Sequence, residues 1–422
     1  MLIKTILKVL IGNTFSKLYP FVILNLLAIY NGSEEVGAYA IFLSLANSGI
    51  LFISGGLNSL LGRYLSIKDD EGIKKKKSAL IFSLVFAMVM FALYIILIEI
   101  IYFFTDTLKV ISNDVKYIVI CVIIYIYGQA CLALYKHALT GLRNYNKILN
   151  ADMLISALSI GTLIFVLAFY PAFDLKVVIY LTTAIGFISG VIGCTGLYRC
   201  YSILNKKKFD INKADLTKEF ISFSIPSLIS SMMFTPILLL GKFVIEAHHG
   251  LETVGIFELS FQWATVVLMV TGVISTISLP DLANNIDSKF DFNRIYKKYI
   301  LVSLSASAFL SISLIIAFLI NEHTTFNYIP SNYEIELPIL LMALASSVLI
   351  SVWSIQVKVP AAYNMQLTAT KINSIWVFFT LIGIYAFVPL YGALGFMISI
   401  TLSWAILVII YSSYNKKVNL AR

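Results

Sequence analysis

Ten stretches of this chain contain no charged residue: 36–62, 78–98, 117–135, 153–173, 177–198, 220–241, 259–280, 299–321, 337–357 and 372–415. A helix needs about 20 apolar residues to cross a bilayer, and each stretch is at least close to that length. The last is twice too long for one crossing, and Pro389, Tyr391 and Gly392 in FVPLYGALG divide it in two. A first span covers 18–33, extended towards the N-terminus through Lys17. The expectation is an all-α membrane protein with twelve transmembrane helices.

Composition excludes the soluble classes. The chain is 59% hydrophobic and 13% charged. A soluble domain cannot hide that much apolar surface in one core, and its surface needs more charge. The net charge of +9 raises the question of nucleic acid. Its distribution answers it: the basic residues stand in short clusters between apolar runs, as in cytoplasmic loops, so no nucleic-acid partner is expected. Cys121, Cys131, Cys194 and Cys200 form no CxxC pair, and neither a metal nor a cofactor is expected. The opening MLIKTILKVLIGNTF has two lysines and no small-residue cleavage site, which reads as an uncleaved start.

Lysine and arginine accumulate on cytoplasmic flanks and so assign the sides. With the N-terminus inside, 26 of the 31 basic residues fall in inner segments, and only Lys109, Lys116 and Lys176 fall outside. Lys17 and Lys242 lie within spans. Both termini are then cytoplasmic. The outer loops are short and acidic, with no room for an extracellular domain.

Two segments repeat. NGSEEVGAYAI at 31–41 and HGLETVGIFEL at 249–259 share Gly32/Gly250, Glu34/Glu252, Val36/Val254 and Gly37/Gly255 at an offset of 218, and Tyr39/Phe257 keeps an aromatic. Phe169 and Pro171 match Phe387 and Pro389 at the same offset, in what read as the loops after the fifth and eleventh spans. One offset joining two distant landmarks indicates a duplicated six-helix unit. Six is even, so the copies are parallel repeats about an axis along the membrane normal, two six-helix bundles flanking a central cleft. The division reads as an N-terminal lobe at 1–204, a basic cytoplasmic linker at 205–219 and a C-terminal lobe at 220–422. The glycine of each VG pair starts a helix after a tight acidic turn, where a small residue relieves backbone crowding.

VGAYAIFLSLANS, LTGLRNYNK, SIPSLISS, ETVGIFELSFQW and PLYGALGFMISI, in that order, resemble the polysaccharide transporters of the multidrug/oligosaccharidyl-lipid/polysaccharide (MOP) superfamily, and within it the O-antigen (Wzx-type) flippases. The resemblance covers essentially the whole chain. It implies a MATE-like fold around a positively charged cavity. It also implies transfer of an undecaprenyl-pyrophosphate-linked oligosaccharide from the cytoplasmic to the periplasmic leaflet of the bacterial inner membrane. Membrane lipids, H+ or Na+ as coupling ion, and a polysaccharide polymerase are the implied partners. Many relatives carry an acid just before the basic residue of the seventh helix; here the pair is Gly241-Lys242.

Charges in spans are costly and face a cavity or a partner unless they snorkel to the interface. Lys17 and Lys242 read either as snorkelling residues or as attractors of a pyrophosphate, for which an ammonium is a compact, reversible ligand. Arg63, Lys136 and Arg143 at inner helix ends read as topology anchors or as entry-site cations for a headgroup arriving from that side. Asp152 reads as a carboxylate opening the fifth helix, where the helix end is positive. Glu258 is opposed by Ala40 in the other repeat and is the first candidate for ion coupling, with Glu99 second. His248 and His249 sit in an outer turn as possible pH sensors. Pro226 and Pro236 in the seventh helix mark a hinge or a static kink.

Two rival readings stay open. A drug or metabolite cation antiporter of the same fold would favour an acidic cavity. An integral-membrane glycosyltransferase or polymerase would need a large outer loop, which is lacking. No G-x-x-x-x-G-K-[ST] is present for nucleotide binding, so the expectation is a secondary transporter and not an enzyme.

Overall fold

The computed structural model describes residues 19–65, 70–104, 115–142, 144–169, 173–205, 213–285, 288–323, 336–363 and 365–420. Among them the regular structure is helical throughout. In hydrocarbon every backbone N–H and C=O must be satisfied within the chain, and a helix does this locally. Helix α1 spans Tyr19–Asn31. Then follow α2 Ser33–Tyr64, α3 Asp70–Phe104, α4 Val115–Gly141, α5 Tyr145–Phe169, α6 Leu175–Asn205 and α7 Lys213–Met232. The rest are α8 Thr235–Asn284, α9 Lys289–His323, α10 Leu337–Gln356, the short α11 Lys358–Ala362, and α12 Gln366–Leu420.

Nine helical stretches among the described residues are long and apolar enough to cross a membrane, and two of them, Lys218–Leu279 and Gln366–Val418, have 62 and 53 residues. Each of these two carries a glycine outside helical geometry: Gly250 (φ 84°, ψ 172°) in α8 and Gly392 (φ 55°, ψ −128°) in α12. Divided there, and with α1 added, the helices are compatible with twelve crossings. Large apolar side chains such as Met88, Phe309 and Ile164 point outward, as lipid-facing residues do. The chain is a multi-pass membrane protein. One detail differs from the sequence reading: Pro389 lies inside α12, and the helix runs through it before breaking at Gly392.

The duplication runs through α1 to α6. Displaced by 218, α1 falls on 237–249 and α2 on 251–282, where α8 has its two segments on either side of Gly250. Likewise α3 falls on 288–322 against Lys289–His323, and α4 on 333–359 against Leu337–Gln356. α5 and α6 fall on 363–387 and 393–423, the two segments of α12 around Gly392.

The chain forms two compact units, Met1–Ala40 with Leu240–Arg422, and Ile41–Leu239. In the second, α4 and α6 approach until a Cβ on Gly128 would overlap the Gly186 carbonyl, the close backbone packing that small residues allow in membranes. Leu60, Tyr64, Ala79, Phe220 and Phe223 join α2, α3 and α7, and the Tyr64 hydroxyl donates to Glu219 Oε1 at 2.6 Å. In the first unit, hydroxyls hold helix to helix. Ser303 Oγ donates to the Ser351 carbonyl at 3.1 Å, Ser351 Oγ to Ser307 Oγ at 2.9 Å, and Ser275 Oγ to the Ser354 carbonyl at 2.8 Å. Such bonds supply part of the cohesion that hydrophobic burial cannot provide between helices in lipid.

Candidate functional site

The repeated motif builds the site. Gly32 and Gly250 both take positive φ, 86° and 84°, a region that L side chains rarely enter. Each ends one apolar helical segment and lets the next begin. Glu34 and Glu35 fall in the first turn of α2, where a carboxylate suits the positive helix end. The two new segments then meet reciprocally. A Cβ on Gly37 would strike the Leu251 carbonyl oxygen, and a Cβ on Gly255 would strike the Ser33 carbonyl oxygen. Leu251 is Ser33 displaced by 218, and Gly255 is Gly37 displaced likewise, so the contact has the form of a local two-fold axis. The glycines do relieve crowding, but between the repeats rather than within the turn.

Tyr39 and Phe257 come next, both buried. Ala40 and Glu258 follow, and there the copies diverge. Lys242, from the first segment of α8, donates through Nζ to Glu258 Oε2 at 2.6 Å and lies 3.4 Å from the Ala40 carbonyl oxygen. Its ammonium stands 5.9 Å from the centre of the Phe257 ring, within cation–π range. The side chains are 6% and 16% exposed. Lys242 is thus held inward by a partner, and the two residues read from sequence as having separate tasks form one buried ion pair. The carboxylate missing before Lys242 comes from Glu258. At Gly241 a Cβ would overlap the Phe396 ring, which would have to shift, and that ring packs at a tilt against Phe257 with centroids 4.9 Å apart.

One turn beyond Glu258, the buried Gln262 donates through Nε2 to the Phe21 carbonyl at 2.9 Å. Asn25 Nδ2 donates to the same carbonyl at 2.6 Å. Gln262 Oε1 is buried without a hydrogen-bond partner. The first repeat has Leu24, Ala40 and Ser44 where the second has Lys242, Glu258 and Gln262. The shared backbone therefore does not demand this polar trio. Sequence reasoning missed Gln262 and Asn25. The offset comparison with Ser44 was a signal for Gln262; nothing local marked Asn25.

The other candidates lie elsewhere. Lys136 on α4 forms an ion pair with Asp152 on α5. Asp152 does not open its helix: α5 begins at Tyr145, so the carboxylate is about two turns inside, 4% exposed, and faces the lysine rather than the helix end. Glu99 is exposed on α3, near its end at Phe104. Pro226 lies within α7, and Pro236 is the second residue of α8, just after the turn at Met233 and Phe234. His249 Nε2 is 3.0 Å from the Val388 carbonyl, and His248 is exposed. Lys17, Arg143 and the side chain of Arg63 lie outside the described residues. The four cysteines are unbridged, and no cluster of three metal-ligating side chains occurs among the described residues.

The polysaccharide biosynthesis protein family matches residues 2–286. The chain belongs to this family. None of the curated protein sequences matches it. Solved structures similar to this family member include MOP superfamily transporters. An outward-facing multidrug resistance MATE family transporter has TM-score 0.75 and 12% identity, over 99% of this chain and 95% of that one. An inward-facing one has TM-score 0.69 and 15% identity, over 96% and 95%. A MOP superfamily transporter from Pyrococcus furiosus, whose structure is described as having a binding pocket of reverse polarity, has TM-score 0.72 and 14% identity, over 99% and 95%. The likeness establishes the MATE-type fold for this polysaccharide biosynthesis protein.

Proposed function

We propose that the chain is a secondary transporter that flips an undecaprenyl-pyrophosphate-linked oligosaccharide from the cytoplasmic to the periplasmic leaflet of a bacterial inner membrane by alternating access. The observation that carries this is the buried Lys242–Glu258 pair, built into the second repeat of a polysaccharide biosynthesis protein and absent from the equivalent positions of the first. Charge at that depth is costly and is kept where it acts on something. A lysine attracts a pyrophosphate, and its carboxylate partner offers a place for a coupling ion. In this reading Lys17 joins Lys242 in holding the headgroup. Arg63, Lys136 and Arg143 attract it at the inner side, and Glu258, with Glu99 in reserve, couples transport to H+ or Na+. The lobes 1–204 and 220–422 move about the linker 205–219 with Pro226 and Pro236 as hinge, both termini stay cytoplasmic, and a polymerase receives the product.

The test is deletion and complementation, with the leaflet of labelled lipid-linked oligosaccharide as readout. Accumulation on the cytoplasmic side in the deletion strain, relieved by the chain, is the expected result. Glu258 keeps a second reading in view, export of organic cations by the same fold. Efflux of cationic dyes with unchanged oligosaccharide would establish that reading instead. Oligosaccharide that reaches the outer leaflet but is elongated or trimmed only when the chain is present would point to a glycosyltransferase or polymerase.

A further inference from the structure

Resting on the flippase reading, we propose that a proton and the anionic headgroup enter this site together: the anion takes Lys242 from Glu258, and Glu258 takes up a proton that it then shares with Gln262.

Lys242 Nζ is committed to Glu258 Oε2 at 2.6 Å. A second anion arriving at the same ammonium brings two negative groups together where little water screens them. Protonating the carboxylate removes that repulsion, and like charges at close range favour the neutral acid. The balance is simple: the carboxylate and one proton from water give the carboxylic acid, and the ammonium keeps all its protons. A neutral acid in a buried place then needs an acceptor for its O–H.

Gln262 supplies one. It lies four residues after Glu258 on the same helix, the spacing at which side chains meet. Its amide orientation is decided by chemistry, because the Phe21 carbonyl can only accept and so must face Nε2. Oε1 is therefore turned away from Phe21, and it is the buried oxygen that lacks a partner. In the ion-paired state this acceptor is unused; in the protonated state it is required. Leu24, Ala40 and Ser44 stand at the equivalent positions of the first repeat, which has none of the three groups.

Among the described residues, Lys242 is the cation that an ion pair places against Glu258. Helix α1 has no charged residue along Tyr19–Asn31, and α2 has Glu34 and Glu35 in its first turn and Arg63 at its far end. The first segment of α8 adds Glu246 one turn from Lys242, with His248 and His249 at its end; the second adds Glu252 at its start and Asp281 near its end; and α12 has Lys371, Lys416 and Lys417 towards its ends. Of these charges, the structure places Lys242 against Glu258. Linkage then gives the sign: anion binding and proton binding strengthen each other, and each raises the affinity for the other by the same factor. The proton travels with the headgroup rather than against it. The pair still carries net negative charge, and an inside-negative membrane potential favours its outward passage.

UDP-N-acetylglucosamine is a suitable probe, a soluble pyrophosphate diester that does not itself titrate near neutral pH. Calorimetric titration of the full chain in detergent, in buffers of different ionisation enthalpy, counts the protons. The expected result is uptake of about one proton per diester, with affinity falling by up to about tenfold per pH unit as pH rises. Glu258→Gln binds with no uptake and no pH dependence. Gln262→Leu needs a lower pH for the same uptake, whereas Asn25→Leu, which removes the other donor to Phe21, leaves the pH profile in place. Wild-type binding without proton uptake, or no binding of the diester, overturns the exchange whether or not the variants fold. A chain that flips oligosaccharide without proton uptake loses this inference and keeps the flippase reading. One that takes up the proton but leaves oligosaccharide on the cytoplasmic leaflet loses the flippase reading.

Discussion

Gly37 and Gly255 are equivalent residues of two repeats, and each packs on the carbonyl of the residue that opens the other repeat's helix, Leu251 for Gly37 and Ser33 for Gly255. A backbone carbonyl cannot rotate out of the way as a side chain can. Gly37→Ala and Gly255→Ala are therefore expected to destabilise by similar amounts, about 1–3 kcal/mol each for overpacking. Thermal melting of the detergent-solubilised protein measures it. Gly161→Ala on α5, where a Cβ would meet open space, is the control and leaves the melting temperature unchanged or raised. Unequal effects of the two substitutions would remove the local two-fold contact as their common cause.

Lys242→Ala leaves the part-buried Glu258 carboxylate without this partner, and breaking a buried pair from one side costs up to about 3–5 kcal/mol. The double variant Lys242→Leu with Glu258→Ala installs the residues that the first repeat already has at these places, Leu24 and Ala40. It is expected to melt close to wild type and to reach normal membrane levels while transport stays lost. Quantified membrane protein and the leaflet assay separate the two outcomes. A double variant that still transports would strip the pair of its function.

The helical class was legible because hydrocarbon tolerates few charges, so the gaps between charges mark apolar helices, and the described helices are compatible with the twelve crossings read from them. The repeat was legible because positive φ and close backbone approach both demand glycine, at Gly32 and Gly250 and at Gly37 and Gly255. The pairing of Lys242 with Glu258 was not, because it spans the break at Gly250 and depends on the angle there. Asp152 was misplaced for a different reason. Counting uncharged residues starts α5 at 153, whereas the helix begins at Tyr145, where Asn146, Lys147 and Asn150 extend it beyond the apolar run. Gln262 was hidden because an uncharged amide does not interrupt an apolar run.

The Lys136–Asp152 pair should respond asymmetrically. Lys136 is 26% exposed and can reach water, whereas Asp152 is 4% exposed and cannot. Lys136→Met, which strands the carboxylate, is expected to lower stability by about 3–5 kcal/mol, and Asp152→Asn by clearly less. Combining them should restore most of the loss. If Lys136 also attracts the arriving headgroup, the restored double variant will transport slowly with a raised substrate requirement; normal transport would leave the pair purely structural.

The turn at Met233 and Phe234 has a specific cause in Pro236, which cannot donate to the carbonyl four residues earlier and whose ring clashes with it. Pro236→Ala supplies the missing N–H and lets α7 run on into α8. Pro226 sits inside α7 without interrupting it, so Pro226→Ala changes less. If the break is a hinge, Pro236→Ala leaves melting unchanged or raises it and slows transport severalfold without altering diester affinity, because opening and closing rather than binding has been impeded. Initial rates of oligosaccharide transfer, set against calorimetric affinity and melting temperature for the same preparations, distinguish this from a static kink. Unchanged rates in a more stable protein would assign Pro236 to shape alone.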